Sequence, residues 1–191
     1  MLERSAGKVD PTRKGGVTNA EASTVLQIAV LTVFPGAIAF AAAMDFFTMT
    51  IPNRISLVLF AAFLVLGPLV GLDGWQIAAH LGAGMLVLAV GILLFIPGFI
   101  GGGDAKMAAV VALWVGFENL VPFLICAALA GGVLALLFST FRHLPLPYQV
   151  AAEGWAVRLH SPKGGIPYGI ALAAGALLVY PQTAWFASIA V

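Results

Sequence analysis

Cysteine is nearly absent from this chain and charge is scarce. The single cysteine, Cys126, lies inside an apolar run, so no internal disulfide and no cysteine-built zinc site can form. Charged residues make up 9% of the 191 residues, where an average soluble domain carries about 25%. The net charge of +1 offers no electrostatic basis for nucleic-acid binding. No cleavable signal peptide is evident: the N-terminus is polar, and the first apolar run is too long for a signal core. A membrane β-barrel is also excluded, because its strands alternate apolar and polar residues and these runs are apolar on every side.

What remains is apolar residue in quantity. The chain is 61% hydrophobic with a mean hydropathy of +1.05. So few polar groups cannot wrap such a core in water. The class implied is an all-α polytopic membrane protein, one domain, with the lipid bilayer as its surroundings.

Residues 1–24 read as a polar, mobile tail carrying Arg4, Lys8, Arg13 and Lys14 against Glu3, Asp10 and Glu21. The membrane domain then spans 25–191. Six apolar spans are predicted, at about Ala22–Met44, Ile55–Leu72, Trp75–Ile96, Lys106–Phe117, Leu120–Phe141 and Ile166–Ala187. Pro35-Gly36 is expected to kink the first. The fourth is short, about 20 Å at 1.5 Å per residue. Asn53 is placed to cap the second helix. The loop at about 142–165 carries a segment, 148–159, that reads as a short helix on the membrane surface.

Six crossings put the loops holding Asp45, Asp104 and 142–165 on one side. That side carries Arg54, Lys106, Arg142, Arg158 and Lys163, whereas the opposite loops at 73–74 and 118–119 have no Lys or Arg. The positive-inside rule makes the aspartate side cytoplasmic. The tail's basic residues point the other way, but they lie well before the first span and are offset by acids.

Chemistry is concentrated in two stretches. Gly101-Gly102-Gly103-Asp104-Ala105-Lys106 ends a long uncharged run, and Asp45 precedes Thr50-Ile51-Pro52-Asn53-Arg54. A carboxylate at a membrane span is costly unless it is used. Brought within a few ångströms, two carboxylates share one proton, so one acts as base and the other as acid. The ionised one takes a proton from water, the water attacks a peptide carbonyl, and the protonated one donates to the carbonyl oxygen. This needs no cofactor and no metal. The glycines before Asp104 offer a seat where an extended substrate strand could pair with free backbone groups. Gly101, Gly103, Lys106, Asn53 and Pro52 are candidate site-shaping residues. Structural readings suit the other polar groups: His80 as a packed, hydrogen-bonded histidine, His143 and His160 as solvated, Arg54 as a positive-inside residue, Asp73 and Glu118 as turn acids. The runs 127–132 and 171–175 read as close helix packing.

Asp45 with Ile51-Pro52-Asn53, Gly101-x-Gly103-Asp104 with Lys106, and Gly165-Ile166-Pro167-Tyr168-Gly169 together resemble the type IV prepilin peptidases, membrane aspartyl proteases of the G-x-G-D group. The resemblance covers about residues 25–190. It implies Asp45 and Asp104 as the catalytic pair, and a prepilin or pseudopilin substrate whose short basic leader is cut after a glycine at the cytoplasmic face of the bacterial inner membrane. Large members of the family carry a cysteine-rich domain between their first spans and N-methylate the product. Here the first loop is under ten residues and lacks cysteine, which is similar to the short, peptidase-only enzymes of Flp/Tad pilus systems. Archaeal preflagellin peptidases are a related possibility. Presenilin-like enzymes share G-x-G-D, but no Pro-Ala-Leu motif occurs here. Two other classes stay open on the sequence: a proton- or cation-coupled small transporter using the two aspartates, and a non-catalytic scaffold of a secretion or pilus assembly.

Overall fold

The computed structural model describes residues 11–145, 153–161 and 165–187. Residues 1–10, the middle of the 142–165 loop and Lys163 lie outside the described residues. Among the described residues there is no strand. The helices are α1 (Pro11–Thr48), α2 (Asn53–Leu69), α3 (Gly74–Phe95), and a stretch Gly102–His143 that is broken at Gly116. Its two parts are α4 (102–115) and α5 (117–143). Then come α6 (Gly154–His160), α7 (Tyr168–Val179), a 3₁₀ turn Tyr180–Gln182 and α8 (Ala184–Ala187). Ser23–Thr48, Gly74–Phe95 and Gly102–His143 are long and apolar enough to cross a membrane, and Asn53–Leu69 and Tyr168–Gln182 are shorter apolar helices.

A straight helix of 42 residues would reach about 63 Å. Instead Asp104 near its start and Arg142 near its end line the same cavity. The reversal occurs at Gly116, with φ 70° and ψ 177°. That region of backbone space is essentially reserved for glycine. The His80 ring fills the space a side chain would need: a Cβ on Gly116 would lie 2.8 Å from His80 Cε1. His80 Nδ1 donates to the Leu113 carbonyl at 2.7 Å, and the ring is tilted against Phe63. His80 thus holds the turn, as the structural reading expects.

Helix α4 is the centre of the bundle. Ala105, Met107 and every residue from Ala109 to Val115 are buried, which leaves it no lipid-facing stripe. The other helices bury one face around it. Glycines allow the closest approaches: a Cβ on Gly91 of α3 would lie 2.9 Å from Ala105 Cβ, and one on Gly175 of α7 would lie 2.8 Å from the Ala127 nitrogen of α5. Gly175 and Ala127 belong to the small-residue runs read as packing surfaces.

One end of the bundle is closed by aromatic side chains. Trp114 stacks on Phe34 at 4.9 Å and meets Trp185 at 4.5 Å. Their polar edges are satisfied by carbonyls: Trp114 Nε1 donates to Leu59 (3.0 Å), Trp185 Nε1 to Trp114 (2.8 Å), and the Tyr180 hydroxyl to Val30 (2.8 Å). Buried indole and phenol groups need such partners.

Several local expectations change. Helix α1 runs through Pro35-Gly36 unbroken and begins at Pro11, inside the stretch read as tail. Asn53 does not cap α2. Pro52 occupies the cap position, and Asn53 is the first helical residue, its side-chain oxygen accepting from Lys106 Nζ at 2.9 Å. Pro52 has a φ of −61° that a helix would accept, but its ψ of 131° is extended, which places the boundary one residue later than expected. His160 is not solvated; its ring packs edge-on against Phe141 at 5.3 Å. Asp73 caps α3 in a reciprocal box with Gln76, at 2.7 and 2.9 Å. Of the segment expected at 148–159, residues 148–152 lie outside the described residues, and the rest forms α6, two turns with Ala156 and Leu159 buried.

Replacement of Gly116 by alanine is expected to lower stability by about 1–3 kcal/mol, from the backbone region alone. Thermal melting in detergent reads it. An unchanged melting point would contradict the reversal at Gly116.

Candidate active site

Asp45 stands one turn before the end of α1, near the side of the bundle opposite the aromatic cluster. It is 5% exposed. Such a group needs a hydrogen-bond donor, and α7 supplies one: the Gly169 backbone N–H donates to Asp45 Oδ2 at 2.7 Å. The approach requires glycine, since a Cβ at this position would lie 2.8 Å from that oxygen. Pro167 supplies the turn into the helix, and the Gly169 N–H falls in its first turn, where amides have no intrahelical acceptor.

Asp104 is the third residue of α4. Gly101 is the cap residue, and its backbone hydrogen-bonds the Asp104 carboxylate. This is half of a capping box, with the glycine contributing no side chain in return. The positive end of the helix dipole lies at the same place. Asp104 is half-buried, and the Asp45 carboxylate acts on it electrostatically.

Both carboxylates line one cavity of about 950 Å³. Its polar rim includes Gly101, Arg142, Gly165 and Tyr168, and its apolar wall includes Val87, Val90, Leu94 and Leu124. Arg142 is anchored by two carbonyls, Nε to Leu159 (3.0 Å) and Nη2 to Gly165 (2.8 Å). The Tyr168 ring covers Gly131, a position where any Cβ would collide with it, and the Asp104 charge reaches the phenol. Among the described residues no three His, Cys, Asp or Glu side chains converge on one point, so no donor set for a metal ion is found there.

The sequence candidates divide into two groups. Asp45, Asp104 and Gly101 come together at the cavity. Gly103, Lys106, Asn53 and Pro52 are not among its lining residues. Gly103 is the point where the 49–52 loop presses on α4, a Cβ there lying 3.4 Å from Ile51 Cβ. Lys106 and Asn53 tie α4 to α2 through their exposed hydrogen bond. The glycines do not form an extended seat either. Gly102 and Gly103 already belong to the first turn of α4, because Asp104 reaching back to Gly101 nucleates the helix there. Gly169, Tyr168, Arg142 and Met49 also line or shape the site, and the sequence carries no carboxylate-like signal at any of them. Gly165–Gly169 was visible as a motif, but nothing in a glycine's letter code announces an amide aimed at a carboxylate 124 residues earlier.

The Asp45–Gly169 contact is testable without reference to activity. Gly169→Ala is expected to destabilise the protein. On an Asp45→Ala background, where the crowded carboxylate is gone, it is expected to cost far less, a coupling of about 0.5–3 kcal/mol. Additive melting-point changes would contradict the contact.

Residues 32–136, which hold both aspartates, match the model of the type IV leader peptidase family. The chain is also 34% identical over 139 residues to a prepilin leader peptidase/N-methyltransferase of Bacillus subtilis, an alignment covering 69% of this chain and 55% of that protein. The chain therefore spans little more than half the length of this relative. No solved structure gives a significant match. On the match over more than half its length, the chain belongs to the type IV leader peptidase family.

Proposed function

We propose that this protein is a membrane aspartyl endopeptidase that removes the leader from a prepilin, of the Flp-like kind, by water activated between Asp45 and Asp104. The observation that carries the reading is that two carboxylates from helices 59 residues apart in sequence face one cavity at one end of an apolar bundle. The family match and the Bacillus relative support the same reading.

In this mechanism the ionised carboxylate takes a proton from a water molecule, which attacks the scissile carbonyl. The protonated carboxyl donates to the carbonyl oxygen, and a proton then passes to the leaving amine. The Gly169 amide holds Asp45 and the Gly101 amide holds Asp104, so neither side chain must reorganise during the reaction.

The dyad end carries Arg54, Lys106, Arg142 and Arg158, and the loops of the opposite end carry Asp73 and Glu118. This asymmetry supports a cytoplasmic site in a bacterial inner membrane. Methyl transfer is not part of the proposal. The α1–α2 connection, 49–52, is four residues long and holds no inserted domain.

Asp45→Asn and Asp104→Asn should each insert and fold yet leave a co-expressed prepilin uncut, with a loss above about 100-fold. The wild type should release a product whose new N-terminus is an unmodified amine by mass spectrometry. Retained cleavage in either variant would refute the dyad, and a methylated product would refute the peptidase-only reading. Activity should also be bell-shaped in pH. It falls in acid as the base becomes protonated, and falls in alkali as the acid loses its proton. A flat profile would contradict proton sharing.

A further inference from the structure

Met49 adopts a backbone conformation that its residue type resists. Its φ is +55°, the sole positive value at a non-glycine position among the described residues. It follows the last residue of α1, where helices commonly end on a left-handed glycine. Its N–H closes the last turn onto the Asp45 carbonyl at 2.8 Å. Glycine would take this conformation freely.

Two threonines clasp the strained residue. The Thr50 hydroxyl donates to that of Thr48 at 2.8 Å, and the Thr48 hydroxyl donates back to the Met44 carbonyl at 2.6 Å. The local sequence thus holds a methionine where the backbone alone favours glycine. Strain retained in this way directs attention to the side chain.

That side chain lines the cavity of Asp45 and Asp104. It reaches Gly165, where an added Cβ would lie 3.1 Å from Met49 Cε. The Gly165 carbonyl is pinned by Arg142. The thioether therefore faces a side-chain-free backbone held by Arg142 at the rim of the cavity, four residues from Asp45 along the chain. Methionine adapts its shape to what it contacts but still occupies space.

We infer that Met49 is a specificity-determining residue: its thioether limits the size of the substrate side chain accepted beside the scissile bond. The inference rests on the peptidase reading above. A glycine or alanine at that substrate position leaves the thioether in place, whereas a branched or longer side chain competes with it.

The test uses full-length enzyme in detergent and a prepilin panel carrying Gly, Ala or Leu on the N-terminal side of the cut. In Met49→Ala the Leu-to-Gly ratio of kcat/KM is expected to rise about 10-fold or more. Met49→Gly should change the ratio likewise but melt higher than Met49→Ala, since glycine accepts the positive φ. Met49→Leu should keep the wild-type preference. Ratios equal to wild type in both the Ala and Gly variants, with the Gly substrate still cut, would overturn the inference and leave the peptidase reading standing. A wild-type enzyme that cuts no member of the panel would overturn both.

Discussion

A carboxylate buried among apolar helices must be met by a hydrogen-bond donor, and Asp45 is met by the Gly169 amide at 2.7 Å. Much of the architecture follows from that requirement. The donor must come from a helix start, where amides are still unpaired. It must come from a glycine, because α1 and α7 approach too closely for a Cβ. The start of α7 must then be fixed relative to the end of α1. Arg142 contributes to this by holding the Gly165 carbonyl, and Arg158 of α6 by donating to the Phe47 carbonyl at 3.0 Å. Trp155 packs on Phe46 and Phe47 in the same region. Helix α6 thereby braces the end of α1 that carries Asp45.

The second carboxylate depends on a different constraint. Helix α4 is buried along most of its length, Lys106 alone being exposed, and its first turn is half-enclosed by protein. Asp104 in that turn faces the cavity, and the Gly116 reversal returns the chain so that α5 supplies Leu124, Ala127 and Arg142 to the same cavity. The short 49–52 loop pressing on Gly103 and the Lys106–Asn53 hydrogen bond hold α2 and α4 together beneath it. Ile51, Gly103, Lys106 and Asn53, which do not line the cavity, thus contribute its frame.

The helical class and the meeting of Asp45 with Asp104 were legible in the sequence, because hydrophobic runs and the parity of crossings depend on residue type alone. The short helix expected at about 106–117 was also legible, and it stands as α4 at 102–115. Backbone contributions were not. Gly169 acts through its N–H, Gly116 through a φ/ψ pair, and Met49 through a conformation its letter code argues against. Asn53 illustrates a one-residue shift: both Asn53 and Pro52 suit a helix start, and Pro52, whose φ of −61° fits a helix, stands outside because its ψ is extended at 131°. A place beside a basic loop suggests a solvated His160, but α6 folds back and packs the half-buried ring against Phe141. That contact depends on tertiary packing that no local pattern encodes.

The central claim is that one chain contributes both carboxylates to one working site. Mixing tests it most directly. Asp45→Asn and Asp104→Asn proteins would be co-reconstituted in lipid vesicles with a prepilin, beside wild type at the same density. The expected result is that the wild type cuts the prepilin and the mixture leaves it intact. Restored cleavage in the mixture would mean that the two aspartates need not share a chain, and would contradict the account.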